Sequence, residues 1–167
     1  MKFHVRDIGS DTEWLQACEL LRQVYVGDGY TTAASAAEFM VRDRFENHSH
    51  AIVALDDAAH VQGVVLFLLK DSPLRQVAQA DEREFRLLGV AALARGSGAG
   101  QALVQACVDR AQAADASALV LWTQPRKLAA HRLYERMGFN RAPDRDTLDE
   151  RGFMRLVYVR RCALPSP

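Results

Sequence analysis

Residues 3–8, Phe3-His4-Val5-Arg6-Asp7-Ile8, largely alternate apolar and polar side chains, the period of a half-buried strand. Ser10 stands three residues before Glu13, the spacing of a capping box. Trp14, Ala17, Cys18, Leu21 and Tyr25 then recur at helical intervals until Gly27-Asp28-Gly29-Tyr30-Thr31 breaks the pattern. A second, shorter helical pattern runs from about Ala34 to Arg44 through Ala36, Phe39 and Met40.

Two apolar runs follow, His50–Leu55 and Val61–Leu69, joined by the polar turn Asp56-Asp57-Ala58-Ala59-His60, which predicts an antiparallel hairpin. Lys70 to Glu82 is a polar loop, and Glu84–Val90 a further strand. The glycine-rich turn Arg95-Gly96-Ser97-Gly98-Ala99-Gly100 opens a helix whose apolar face is Leu103, Val104, Cys107, Val108 and Ala111. Ala118–Thr123 has the continuous apolar character of a central strand. A helix is predicted from about Pro125 to Met137, with the stripe Ala130, Leu133, Tyr134 and Met137 and a glycine stop at Gly138. Phe139 starts a short strand, and Gly152–Arg160 is the last. The order β-α-α-β-β-β-α-β-α-β-β predicts an α+β domain with at least one parallel pairing inside a mostly antiparallel sheet. Residues 1–162 are expected to form one domain and 163–167 a disordered tail.

Composition narrows the function. With 167 residues, 49% of them hydrophobic, the chain can build a core without disulfides or structural metal. The balance of 21 basic and 21 acidic residues speaks against a nucleic-acid partner, which selects a basic surplus. Cys18, Cys107 and Cys162 are too few and too scattered for a disulfide framework or a zinc pattern, and the close pair His48 and His50 lacks further ligands, so no metal is expected. The first residues carry no signal-peptide core and no stretch approaches a membrane span, which leaves a cytoplasmic location and no membrane partner as the expectation.

The turn at 95–100 is the principal candidate site. Glycines at 96, 98 and 100 clear side chains from a strand-to-helix turn, so backbone N–H groups can converge on an anion at the positive end of the helix. Ser97 adds a hydroxyl and Arg95 a fixed charge, a set suited to a diphosphate. Gln101-Ala102 follows where a Walker A loop needs Lys and Ser or Thr, and the dinucleotide spacing fails in both possible frames.

Arg95, Gly98 and Gly100 also meet the Arg/Gln-x-x-Gly-x-Gly/Ala signature of the GNAT superfamily of N-acetyltransferases. The strand Glu84–Val90 is similar to that family's strand before the pyrophosphate loop. Ala130-His131-Arg132-Leu133-Tyr134-Glu135-Arg136-Met137-Gly138-Phe139 resembles its A-x-x-x-Y-x-x-x-G-F helix end. The resemblance implies a three-layer α+β fold, with a mixed sheet of about six to seven strands and about four helices. It implies acetyl-CoA as donor and a primary amine as acceptor, joined by direct attack without metal. The strands at 84–90 and 118–123 would splay to admit the pantetheine arm against Leu88, Gly89 and Val90. The pyrophosphate would rest on Gly96, Ser97, Gly98, Ala99 and Gly100 with Gln101 nearby.

Tyr134 would be the proton donor to the departing thiolate, and Glu84, or less favourably Glu82, the base for the acceptor ammonium. A free Glu, of pKa about 4.3, is a poor base for an amine near 10.4, so burial or a water relay is required. Gln124-Pro125 stands where many members place Asn. The acceptor pocket is expected around the first two helices, the Gly27–Thr31 loop and the strands around 61–69 and 153–160, with Asp28, Tyr30 and Thr31 as polar candidates. Two rivals stay open: a non-catalytic acyl-CoA-binding module of the same fold, and an enzyme of another class holding a nucleotide phosphate. Dimerisation is common in such folds, and the sequence leaves the oligomeric state open.

Overall fold

A computed structural model of the chain describes residues 2–163. The predicted tail at 163–167 therefore falls, but for Ala163, outside the described residues. The chain forms β1 (His4–Asp7), α1 (Asp11–Gly27), α2 (Ala33–Phe39), α3 (Arg42–Phe45), β2 (Ser49–Leu55), β3 (Val61–Leu68) and β4 (Arg83–Val90). It continues through α4 (Ala99–Ala113), β5 (Ala118–Thr123), α5 (Leu128–Arg136), β6 (Asn140–Arg141), β7 (Thr147–Leu148) and β8 (Met154–Arg161). One mixed sheet runs β1-β2-β3-β4-β5-β8-β6, with β7 on β8. Every pairing is antiparallel except β4 with β5.

Strand alternation sorts two cores onto the two faces of the sheet. On β2, Ile52 and Ala54 point toward α4, where Leu103, Val104 and Cys107 are buried. Ala51, Val53 and Leu55 point the other way, against Trp14, Leu21 and Met40 of the N-terminal helical region. Each fully buried leucine or isoleucine contributes about 1.5–3 kcal/mol by leaving water. Neither large helix covers β5 and β8 on the N-terminal-helix side. There Val77 and Ala78 of the 70–82 loop pack on Ala118, Val120, Val157 and Val159.

The differences from the sequence expectation are local. The helix expected over 34–44 is two helices, because Met40 turns into the core and Val41 is extended. The Met40 carbonyl that this break exposes accepts a hydrogen bond from Arg22 Nη1 at 2.7 Å. The helix expected from Pro125 begins only at Leu128, since Gln124 to Lys127 form a turn closed by Lys127 N–H on the Gln124 carbonyl. The short strand β7 was too brief to give a pattern. The Ser10 hydroxyl caps α1 by accepting from the Glu13 amide at 3.2 Å, but the Glu13 carboxylate returns to the Gly9 amide and Arg6 rather than to Ser10. Among the described residues no helix is long and apolar enough to cross a membrane.

Candidate active site

The parallel pair β4 and β5 is joined only at its start. Arg83 lies opposite Leu119 and Glu84 opposite Val120, and beyond these the strands part. A bulge in β4 accompanies the parting. The register against β3 shifts between Val64 and Leu66, and Leu87 there takes a positive φ of 57°. The Ala91 amide donates to Gln62 on the β3 side at 2.8 Å, so strand alternation aims the Val90 N–H the other way, into the gap. The Leu88 carbonyl is approached by the Tyr25 hydroxyl of α1 at 3.5 Å. Gly89 makes room for this helix: a Cβ there would stand 3.1 Å from Leu21 Cδ2.

The turn from Arg95 leads into the first turn of α4. Gly98 caps the helix in the left-handed region at φ 93°, with Gly96 at φ 76°. Two of its amides are used, Arg95 on Ala92 and Ser97 on Ala94, each at 3.3 Å, and the Ser97 hydroxyl also bonds the Ala94 carbonyl. The N–H groups of Gly96, Gly98, Ala99, Gly100 and Gln101 have no protein acceptor among the described residues. Gly96 and Gly98 are exposed, and a Cβ on Gly98 would meet nothing within 4 Å. Gly100 packs instead: its Cβ position lies 3.5 Å from Leu133 and 3.6 Å from Val90, so α4, α5 and the end of β4 converge there. The Arg95 guanidinium pairs with Asp28 at the end of α1.

Tyr134 belongs to α5 and is buried at 5% exposure. Its ring meets Phe85 of β4, Phe139 and Tyr158 at 5.8–6.0 Å in tilted or edge contacts. The Tyr158 hydroxyl donates to Glu135, whereas that of Tyr134 has no partner among the described residues. Burial, with the neighbouring Tyr25, Cys107 and Tyr158, pushes the Tyr134 phenol well above its ordinary range, so it stays protonated.

Glu84 sits at the fork of the strands, but its carboxylate is fully buried on the loop side. It accepts from the amides of Gln76 (3.1 and 3.2 Å), Val77 (3.0 Å) and Ala78 (2.9 Å). Burial raises its pKa, and the three amides only partly offset this. Glu82 is likewise buried, in a bidentate pair with Arg145. Neither carboxylate lines the large cleft beside the gap.

That cleft, about 550 Å³, opens between α1, α2, the ends of β4 and β5, and the 149–155 segment. Tyr30 and Thr31 line it, while Asp28 does not and is held by Arg95. Lys127 stands over the rings of Tyr25 at 3.9 Å and Tyr30 at 4.4 Å, and Arg126 donates to the Gly29 carbonyl at 2.7 Å. Gln124, where an Asn was expected, turns its amide toward the Tyr30 carbonyl at 3.5 Å. Of the strands expected to wall the pocket, 153–160 contributes Arg155 and 61–69 contributes no side chain, and the cleft residues that sequence reasoning missed include Arg86, Trp122 and Asp149. A charge inside the apolar run of β4 was the available signal for Arg86. Asp149 comes from an irregular loop and gave none. Asp149 is buried against Arg151 (3.0 Å) and Arg155 (2.9 Å); burial opposes its ionisation, but the bonds from Arg151 and the two positive charges hold its pKa below the usual range.

A family model for the GNAT family of acetyltransferases matches residues 14–139, which span the open strands, the glycine turn and Tyr134. This chain belongs to the GNAT acetyltransferase family. No curated protein sequence gives a significant match. Solved structures share the fold across almost the whole GNAT chain. A GNAT-family acetyltransferase from Staphylococcus aureus Mu50 superposes with a TM-score of 0.71 at 11% identity, covering 97% of this chain and 100% of that one. The ribosomal-protein-S18-alanine N-acetyltransferase of Escherichia coli gives 0.70 at 14% identity, covering 99% and 97%. A GCN5-related N-acetyltransferase from Kribbella flavida gives 0.69 at 24% identity, covering 95% and 97%. The family is one of acyltransferases that take an acyl-CoA donor, and among the described residues no group of three or more His, Cys, Asp or Glu could hold a metal ion.

Proposed function

We propose that this GNAT protein is an N-acetyltransferase that moves the acetyl group of acetyl-CoA to a primary amine by direct attack. The observation that carries the reading is the set of unpartnered amides at Gly96, Gly98, Ala99, Gly100 and Gln101 beside the parted strands β4 and β5. These amides, with the positive end of α4 and the Arg95 guanidinium, suit the pyrophosphate. The gap accommodates the pantetheine arm along Leu88, Gly89 and Val90. Bound there, acetyl-CoA supplies an activated thioester.

The chain's own groups then have defined tasks. The Val90 N–H is positioned to donate to the thioester carbonyl, where charge grows during attack. The acceptor nitrogen forms its bond to the acetyl carbon as the carbon–sulfur bond breaks. The sulfur leaves with the bonding pair and takes the phenolic proton of Tyr134, and the proton lost by the amine passes to water, so the ring can be recharged from solvent. Burial keeps Tyr134 in the donor form this task requires. We assign Glu84 a different role from a base: its oxygens are committed to three main-chain amides, and it fixes the loop that covers the β5 and β8 face. Residues 1–162 act as one acetyltransferase domain in this reading, in the cytoplasm.

Calorimetry with CoA, ATP and NAD, followed by thiol release from acetyl-CoA across an amine library, tests it. CoA alone should bind, and at least one amine should release free thiol at a rate proportional to enzyme. CoA binding without turnover by any amine would leave a binding module of the same fold. Binding of ATP or NAD in preference to CoA would discard the donor assignment.

A further inference from the structure

The cleft is electrostatically lopsided. Arg44, Arg86, Lys127, Arg151 and Arg155 line it against only Asp149 and Glu150. Asp149 is already shared by Arg151 and Arg155, and Lys127 is caged by two tyrosine rings. Arg86 differs from the shielded arginines that hold a carboxylate. Arg141 holds Asp146, Arg145 holds Glu82 and Arg155 holds Asp149, each at 2.7–2.9 Å. Arg86 has no carboxylate partner among the described residues. One of its nitrogens donates to the Leu74 carbonyl at 3.2 Å, and its guanidinium stands 5.8 Å from the Trp122 ring centre. Arg83 also has no carboxylate partner among the described residues, but it packs on Phe67 and does not line the cleft.

A guanidinium that is largely shielded, stacked and missing its counter-ion has several N–H donors facing the cleft, in the fork geometry that suits a carboxylate. Desolvation already lowers the Arg86 pKa, and the nearby Glu84 charge is the main opposing influence. An anion arriving in the cleft would relieve that cost. Arg86 lies on β4, four residues before Val90, so it shares the strand that carries the proposed carbonyl-polarising amide. The uncharged part of the wall has an apolar and aromatic stretch, including Phe39, Met40, Phe45 and Leu87, beside the polar Thr31, Ser35, Gln76, Thr123 and Gln124.

We infer that the acceptor is an amino-carboxylic acid with an apolar body, its carboxylate held by Arg86 in the cleft and its amine delivered toward the neighbouring gap at Val90. This assignment rests on the N-acetyltransferase reading and names its substrate class. Arg86 is a specificity-determining residue here and takes no part in bond making. A charge-assisted, bidentate contact of this kind is worth about 1.5–3 kcal/mol, or roughly 10- to 150-fold in discrimination.

The experiment screens the full chain with acetyl-CoA against the proteinogenic L-amino acids and short ω-amino acids, each beside its own carboxamide and its decarboxylated amine. At least one acid with an apolar body should exceed its carboxamide in kcat/KM by about 10-fold or more, mainly through KM. Arg86→Gln should erase that ratio, and Arg86→Lys should retain part of it while leaving CoA affinity unchanged. Equal use of acids and carboxamides, or turnover confined to amines without a carboxylate, overturns the inference. So does an unchanged ratio in Arg86→Gln; should that variant fail to fold, the wild-type ratio and Arg86→Lys still decide. If CoA binds and no amine is turned over, the same pairs are compared by thermal shift in the presence of CoA. A shift for acids alone, lost in Arg86→Gln or reduced in Arg86→Lys, upholds the anion site while the catalytic reading fails, and no difference between acids and carboxamides sinks it.

Discussion

The Arg95 guanidinium of the donor loop lies 2.9 Å from the carboxylate of Asp28, the residue that caps the C-terminal end of α1. The pair ties the proposed phosphate site to the loop that walls the cleft, and both partners are partly exposed. An exposed pair contributes about 0–1 kcal/mol, so its removal should hardly alter stability. Its consequence is for binding, because Asp28 competes with phosphate for the same guanidinium. Asp28→Ala should leave CoA affinity unchanged or tighten it by up to about 5-fold, and Arg95→Ala should weaken it by about 10-fold, more at low salt than at high. Calorimetry at two ionic strengths reads both. Equal affinity in wild type and Arg95→Ala would reduce Arg95 to a tether for α1.

Tyr134 is held protonated by burial among Phe85, Phe139 and Tyr158. A thiolate with a conjugate pKa of about 8.5 can leave unaided, so loss of the donor should cost less than full general-acid catalysis. Tyr134→Phe is expected to lower kcat by about 10- to 100-fold with CoA affinity within about 2-fold, at or below the lower end of general acid–base effects. The raised phenol pKa also sets the pH profile. The rate should climb as the acceptor amine deprotonates, with no descending limb from Tyr134 below about pH 10. Stopped-flow thiol release checks both, and an unaltered kcat in Tyr134→Phe would return the ring to a packing role.

Much of this site was readable from the chain because it is built from local backbone chemistry. A glycine turn between a strand and a helix can be recognised wherever it stands, and the buried face of α4 follows from helical spacing at Leu103, Val104, Cys107, Val108 and Ala111. The acceptor side was not readable for a different reason. Arg86, Trp122 and Asp149 come from three separate segments and meet only through the parting of β4 and β5. Glu84 shows the limit of reading a site from strand position. Its place on the strand suggested a base, but a carboxylate's partners depend on which loop folds over it, and the 76–78 amides supply a tertiary contact with no sequence signal.

Gly98 combines a positive φ of 93° with open space where a Cβ would point. A non-glycine residue there should cost about 1–2 kcal/mol of backbone strain and leave the packing undisturbed. Gly152 has nearly the same φ, 92°, and the same open surroundings away from the donor loop. Gly98→Ala and Gly152→Ala should therefore lose similar stability in urea, while only the Gly98 variants lose CoA affinity, with Gly98→Val losing it altogether. Intact CoA binding by a folded Gly98→Val would show that the donor does not lie on this turn.

Replacing Glu84 separates structure from catalysis. Its folded pKa is raised, so the native state holds the proton more tightly than the unfolded chain does. This contribution favours the fold below the ordinary carboxylate range and declines as pH rises through the raised value. Glu84→Gln keeps an acceptor for Val77 and Ala78 but turns an amide group toward one of the oxygen positions bonded by Gln76. It should cost about 1–3 kcal/mol at neutral pH and flatten the pH dependence of stability in that window. Glu84→Ala leaves three amides without their partner and should cost more, about 3–5 kcal/mol. Per folded molecule, kcat in Glu84→Gln should stay within about 3-fold of wild type, far from the 100-fold or greater loss expected on removing a general base. Urea titrations across pH, paired with single-turnover rates, measure the two effects separately. A loss of that size with unchanged stability would make Glu84 the base and would require the 76–78 amides to release it when the substrates bind.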